Sequence, residues 1–244
     1  MASSAPLCRW LFQEPTGSRR ESDGQYRYAL EEMNGPIAQV KDGILGPFSA
    51  ELKEGQWFNL PRASCPGLNL HGPGTQFTII AWIKRKQKSN KECETIAGVW
   101  NETNKARQYC LFLNLGIWNS ANQVCCHLSS TGAPSPDYPY CMEAAIGQTA
   151  VPKNEWQQVA VTFDGNWAKV YLNGKFDQRP GLSPYFWPCV IHDGGEQGAD
   201  FTVGSVFRSG SMGNWFVGQL GGLAIYDHIL TPEKIDELYT SCSV

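Results

Sequence analysis

Residues 156–174, WQQVAVTFDGNWAKVYLNG, decide the fold. Val159, Val161 and Phe163 alternate with Gln158, Ala160 and Thr162, so one face of this segment is apolar. After the turn Asp164-Gly165-Asn166, Val170 and Leu172 alternate with Lys169, Tyr171 and Asn173. Period-two alternation across a Gly/Asn turn predicts a β-hairpin. Asn173-Gly174 supplies a second tight turn, because both residues tolerate positive φ. Two strands cannot bury their own apolar face, so the hairpin requires a second sheet.

The rest of the chain supplies it. Trp10-Leu11-Phe12, Tyr26–Leu30, Gly43–Phe48 and Trp57–Leu60 read as short strand pieces separated by polar, Gly-containing loops. Phe77–Ile83, FTIIAWI, is near-continuously apolar and predicts a central strand covered on both faces. Thr95–Trp100, Tyr109–Leu115 and Gln123–Ser129 follow, the last two as hairpin partners. Residues 130–152 read as a Pro-rich excursion and 178–198 as a second long loop. Phe201–Gly204 and the apolar pieces of Trp215–Tyr226 complete the strands. Thr231-Pro232-Glu233 opens a short helix, with Thr at the N-cap and Pro at N1. About a dozen short strands and almost no helix predict an all-β, two-sheet antiparallel β-sandwich of the jelly-roll kind, with a short C-terminal helix. No composition break marks a linker, so residues 1–244 read as one domain.

Charge and composition exclude several functions. The net charge is −3 without a basic block, which argues against nucleic-acid partners. No apolar run reaches membrane-spanning length, which argues against membrane insertion. The nine Cys are an odd number, so at least one thiol stays free in a monomer. Met1-Ala2-Ser3-Ser4 has neither the basic nor the apolar region of a signal peptide. Two readings stay open: a cytosolic chain with reduced thiols, or an exported one whose leader Met1 replaces. The sequon Asn101-Glu102-Thr103 agrees with the second, an extracellular or secreted location.

Four segments taken in order resemble the laminin-G-like, concanavalin A-like jelly roll. They are Phe77–Ile83, Trp156–Gly165, Val170–Gly174, and Gly218-Gln219-Leu220 running through Ala224–Asp227 into Leu230-Thr231-Pro232. The resemblance covers about Trp10 to Tyr239. It implies two stacked sheets, one concave, of the kind found in secreted modules that bind carbohydrate or protein. It also implies a possible structural calcium, held by loop carboxylates such as Asp193 or Asp200. Many such domains carry an Asp-Glu pair just before the strand of Ala224–Tyr226; this chain has Gly221-Gly222 there.

Catalysis has little sequence support. Retaining glycosidases of the jelly-roll kind place two carboxylates on one strand at alternating positions, i and i+4, so that both carboxyl groups face the cleft about 5–5.5 Å apart. No strand has them: Glu31-Glu32 are adjacent, Glu92 and Glu94 read as a charged loop, and Glu233, Asp236 and Glu237 sit on the helix. His71, His127, His192 and His228 are scattered and read as surface or hydrogen-bonded side chains. Cys125-Cys126-His127 cannot converge on zinc, because strand neighbours point to opposite faces. Cys110 and Cys125 lie symmetrically about a turn near Ile117-Trp118, which predicts a disulfide between them.

Aromatics remain as candidates. Trp82 and Trp156 read as core. Trp100, Trp118, Trp187 and Trp215, with Tyr138, Tyr140 and Tyr185, fall at strand ends or on long loops, where binding surfaces concentrate. The expected function is therefore a non-catalytic, lectin-like carbohydrate-binding module whose partner is a glycan. The alternatives are a protein-interaction or adhesion domain on the same rim, and a glucanase or lyase with an unrecognised site.

Overall fold

Alternating side chains commit a segment to strand only if a partner covers the apolar side, and every long strand of this chain finds one. A computed structural model describes residues 5–242; Met1–Ser4, read above for a leader, lie outside the described residues. In chain order the strands are β1 (Cys8–Trp10), β2 (Arg20–Glu21), β3 (Ala29–Met33), β4 (Ala38–Val40), β5 (Ser49–Leu52), β6 (Trp57–Leu60) and β7 (Phe77–Arg85). Then come β8 (Glu94–Asn101), β9 (Ala106–Leu113), β10 (Gln123–Leu128), β11 (Ala144–Ala150), β12 (Trp156–Phe163) and β13 (Trp167–Leu172). The last are β14 (Lys175–Phe176), β15 (Tyr185–Phe186), β16 (Phe201–Val203), β17 (Val206–Arg208), β18 (Ser211–Gly213) and β19 (Gly218–Tyr226), before the helix α1 (Pro232–Thr240).

They form two sheets. The first runs β14-β13-β12-β7-β19-β5-β4, with β1 beside β19 and β15 beside β13. The second runs β11-β10-β9-β8-β16-β6-β3-β2, with the β17–β18 hairpin beside β8. Among the described residues pairing is antiparallel apart from one parallel bridge, Phe207 to Asn101. The hairpin that opened the reading is β12–β13, and Val159, Val161 and Phe163 all face the core. β7 lies between β12 and β19, as its continuous apolarity requires.

The space between the sheets is filled by Trp10, Phe12, Phe58, Phe77, Phe163, Phe201 and Phe216, all fully buried. Each such side chain contributes about 1.5–3 kcal/mol relative to exposure. Each sheet also buries apolar groups on its outer face. On the first, Ile80, Trp82 and Tyr226 lie under α1 and under Ile44 and Leu45 of the 41–48 loop. Thr231 caps α1 by accepting from Lys234 N at 3.3 Å, and Ile235 is its buried anchor. On the second, Trp100, Cys110, Phe112, Cys125 and Ile146 form a separate cluster.

Three expectations need correction. Gly43–Phe48 is a covering loop, not a strand; its apolar residues face the first sheet sideways from an irregular backbone. The Pro-rich excursion contains β11, whose AAIGQTA sequence forms a strand because β10 offers it an edge. Cys110 and Cys125 are not bonded; all nine cysteines are free thiols. The β9–β10 register sets Cys110 opposite His127 and Cys125 opposite Phe112, so the two sulfurs sit diagonally, two residues out of register. Cross-strand pairing brings Cβ atoms close only for directly opposed residues.

Candidate functional site

On the outer face of the second sheet lies a cleft of about 260 Å³. Its floor follows from strand phase. Phe112 on β9 and His127 on β10 point outward, because Leu111, Cys126 and Leu128 point into the core. Its walls come from loops. The β7–β8 loop supplies Lys91, Glu92 and Cys93, the β9–β10 loop Leu115, Gly116 and Ile117, and the β10–β11 loop Tyr140 and Cys141. Glu102, just after β8, and Arg208, at the end of β17, close one end with Asn214.

The floor is an aromatic stack. Trp100 lies on His127 with ring centroids 4.9 Å apart and 29° between planes. Phe112 meets the same imidazole edge-on at 5.5 Å. The Arg107 guanidinium sits over the other part of the Trp100 surface, 6.0 Å from the ring centre. His127 Nδ1 is 3.0 Å from the Glu143 carbonyl oxygen. Burial drives the imidazole pKa down to about 4, and nearby Arg107 acts in the same direction, so the ring is neutral at neutral pH.

Charge at the closed end is internally matched. Arg208 Nη1 donates to Glu92 Oε1 at 2.8 Å and to Asn214 Oδ1 at 2.9 Å. Glu102 Oε2 stands 3.9 Å from Arg208 Nε, and Glu102 Oε1 accepts from Trp100 Nε1 at 3.4 Å. Glu92 and Glu102 thus approach one cation from two loops, although the sequence reads Glu92 as solvated. Burial also raises the Cys93 pKa to about 12 and pushes Cys141 up as well, which keeps both thiols of the cleft protonated at neutral pH.

The seven aromatics expected at a rim divide. Tyr140 lines the cleft and is 52% exposed. Trp118 and Tyr138 form an exposed edge-to-face pair, centroids 6.5 Å apart, on the same two loops. Trp118 is fixed there by its Nε1 donating to the Met142 carbonyl at 3.0 Å. Trp100 and Trp187 are not at a rim: both are buried, Trp100 under the cleft floor and Trp187 edge-on against Phe163 in the core. Tyr185 is partly buried against the core, and Trp215 packs on Trp57 and does not line the cleft. The sequence reading sets His127 aside as a surface or hydrogen-bonded side chain and Glu92 as part of a charged loop, and gives no binding role to Phe112, Arg208 or Glu102. For His127 and Phe112 the strand phase of Gln123–Leu128 and Tyr109–Leu113 held the signal.

Asp193 and Asp200, named for calcium, are both engaged by protein groups around Arg62. Asp200 accepts from Arg62 N at 2.8 Å and Asn59 Nδ2 at 3.1 Å. Asp193 accepts from Gly195 N at 2.9 Å and pairs with Arg62 Nη2 at 3.3 Å. Arg62 also donates to Gln108 and Asn69, pinning the 61–76 and 189–200 loops to the second sheet. Among the described residues no group of three His, Cys, Asp or Glu is arranged to hold a metal. No helix among them is long and apolar enough to cross a membrane.

The model of the concanavalin A-like lectin/glucanases superfamily matches residues 52–236. No curated protein sequence matches the chain. Several solved structures share the fold. Domain 4 of AbnA, an extracellular arabinanase of Geobacillus stearothermophilus in complex with arabinotriose, is 18% identical, with TM-score 0.63 over 97% of this chain and 100% of that one. The CBM40 of the Ruminococcus gnavus IT-sialidase, bound to α2,3-sialyllactose, is 16% identical, with TM-score 0.55 over 78% and 96%. The binding domain of botulinum neurotoxin DC, in complex with rat synaptotagmin II, is 12% identical, with TM-score 0.57 over 96% of this chain and 51% of that one.

Proposed function

The chain belongs to the concanavalin A-like lectin/glucanase superfamily, and from that premise we propose that residues 1–244 form a single non-catalytic glycan-binding module whose site is the cleft over β8, β9 and β10. One observation carries the reading: a concave site with an aromatic floor has three exposed aromatics, Trp118, Tyr138 and Tyr140, on the loops at its edge. Flat rings of this kind pack against sugar C–H groups while a few polar side chains fix orientation. The relatives fit: two of the similar solved domains hold oligosaccharides, and one belongs to an extracellular enzyme, which favours an exported protein here.

A glycan array with the full chain tests this. The reading expects hits that fall at least about tenfold in affinity with Tyr140→Ala or Trp118→Ala. An array without hits, or hits indifferent to both changes, overturns it.

Two other readings have observations of their own. Glu92 and Glu102 share the cleft, which a hydrolase would use; release of reducing ends from an array hit, abolished by Glu102→Gln, would establish it. Away from the cleft, Trp167 and Phe186 form an exposed pair 4.7 Å apart, which a protein partner would cover. A tight protein partner together with a clean array would favour that reading.

A further inference from the structure

Resting on the glycan reading, we infer that the cleft selects a neutral terminal sugar residue, whose hydroxyls donate to His127 Nε2 and to the Glu92 and Glu102 carboxylates, and that it discriminates against sialylated, uronate and sulfated ligands. The inference begins with the imidazole. The Glu143 carbonyl oxygen 3.0 Å from Nδ1 can only accept, so Nδ1 carries the hydrogen. The neutral ring then has a bare lone pair at Nε2. No hydrogen bond to Nε2 exists among the described residues, although the ring lines the cleft. Burial resists protonation of that lone pair, and Arg107 adds to the resistance. Nε2 is therefore an acceptor waiting for a donor. A sugar hydroxyl is a donor; a carboxylate or sulfate is not.

Charge balance points the same way. The lining carries two cationic side chains, Lys91 and Arg208, and two anionic ones, Glu92 and Glu102. Arg208 is already engaged by Glu92 and Asn214, with Glu102 3.9 Å from Nε. An anionic ligand has only Lys91 to pair with unless it displaces Glu92 from Arg208, and in either place it meets two carboxylates and an imidazole lone pair. A polyol meets only acceptors it can satisfy. The apolar part of the lining, Phe112, Leu115, Ile117 and Tyr140, suits the C–H face of a ring. The volume, about 260 Å³, falls below the roughly 300–1,000 Å³ typical of drug-sized ligand sites. It holds the end of a glycan rather than its length.

The experiment is an array on which neutral oligosaccharides are printed beside sialylated, uronate-terminated and sulfated counterparts. Calorimetry on the best hit at low and high salt follows. Neutral members should bind at least about tenfold tighter than their anionic partners, with little change in Kd between the two salts. His127→Phe keeps a ring but removes the acceptor, and should weaken neutral ligands at least about tenfold. Glu92→Gln should narrow the gap between neutral and anionic ligands. If His127→Phe does not fold, the salt series and Glu92→Gln still decide. Tighter binding of anionic glycans that weakens with salt, yet is lost with Tyr140→Ala, overturns this inference and leaves the glycan reading standing. So does undiminished binding by a folded His127→Phe. Absence of any glycan hit overturns both.

Discussion

Trp100 on β8 reaches past β9 to stack on His127 of β10, ring on ring at 4.9 Å. The strand between them allows it because Gly98 faces Cys110 there, and Cys110 faces His127. Gly98 has no room for a side chain: a Cβ would stand 2.7 Å from that of Cys110. The cleft floor therefore depends on a buried tryptophan two strands away that does not itself line the cleft. Trp100→Ala should cost about 3–5 kcal/mol, the usual range for a buried aromatic. It should also weaken any cleft ligand by letting the imidazole tilt. Urea denaturation checks the first expectation and calorimetry the second. A loss of less than about 1 kcal/mol would mean the stack is ornamental.

His127 makes stability depend on pH in a definite window. Its folded pKa is lowered from 6.5 to about 4, chiefly by burial. The ring is held among Trp100, Phe112, the Glu143 carbonyl and the Arg107 charge. The unfolded chain takes up this proton as pH falls through 6.5, while the folded chain resists until about 4. The neutral ring's contribution is therefore complete above 6.5 and is lost as pH falls toward 4. The loss amounts to roughly 3 kcal/mol at its limit. Denaturant titrations at a series of pH values should show this slope in the parent and a shallower one in His127→Phe. Equal slopes would remove the histidine from the account.

A buried ion pair ties the sheets at one end. Arg85 closes β7 in the first sheet, and Glu94 opens β8 in the second. Nε donates to Glu94 Oε2 at 3.0 Å and Nη2 to Oε1 at 2.7 Å. Nη1 also donates to the Val151 carbonyl at 2.8 Å. Glu94→Ala leaves the guanidinium buried without its anion and should cost about 3–5 kcal/mol. Arg85→Met with Glu94→Leu should be far milder than the single change, because both desolvation costs vanish together. A double variant as unstable as Glu94→Ala would show that the guanidinium's other hydrogen bonds, to the Val151 carbonyl and to Asn122 Oδ1 at 3.1 Å, matter more than the pair.

The thiols should react in order of exposure. Cys189 is exposed, Cys93 and Cys242 are half-buried, and the other six are buried. Burial raises Cys65, Cys93 and Cys125 to about 12 and pushes Cys8, Cys110, Cys126 and Cys141 up as well. A thiol reagent on the native protein should give one fast equivalent, lost in Cys189→Ser, with the buried six appearing only on unfolding. Fast reaction of Cys110, Cys125 or Cys126, on β9 and β10, would mean the second sheet opens readily.

Much of this fold is legible because its main strands carry their own signal. Val159, Val161 and Phe163 repeat every second residue, and β7 is near-continuously apolar from Phe77 to Ile83, so neither needs context. β11 is different: Ala144, Ala145 and Gly147 have little strand preference and become a strand only through β10. The disulfide failed on register, since the hairpin centre cannot be read to better than a residue or two when the loop is long. The cleft is hidden for a related reason. Glu92 and Arg208, hydrogen-bonded at 2.8 Å, are separated by 116 positions, and no local pattern announces their meeting. Trp100 and Trp187 look like loop aromatics because each sits at a segment end, yet tertiary packing covers both.

Gly221-Gly222 carries the last prediction. The β7–β19 register slips between Leu220 and Gly222, so Gly221 is the extra residue of a bulge. Neither glycine needs a left-handed backbone; what both lack is space. A Cβ on Gly221 would lie 2.5 Å from Ile44 Cγ2 and 2.9 Å from the Trp156 ring. One on Gly222 would lie 2.4 Å from Leu45 Cδ1 and 3.1 Å from Trp82. The pair therefore makes room for the 41–48 loop, which Asp42 also anchors through Lys84 at 2.7 Å and Trp156 Nε1 at 3.2 Å. Gly222→Ala meets the end of a flexible leucine and should cost about 1–3 kcal/mol by overpacking. Gly221→Asp with Gly222→Glu adds two charges to an apolar contact and should release the loop altogether. Limited proteolysis would then cut between residues 41 and 48 in the double variant and spare the parent. Because the loop lies on the first sheet and the cleft on the second, glycan affinity should change less than about twofold as long as the variant stays folded.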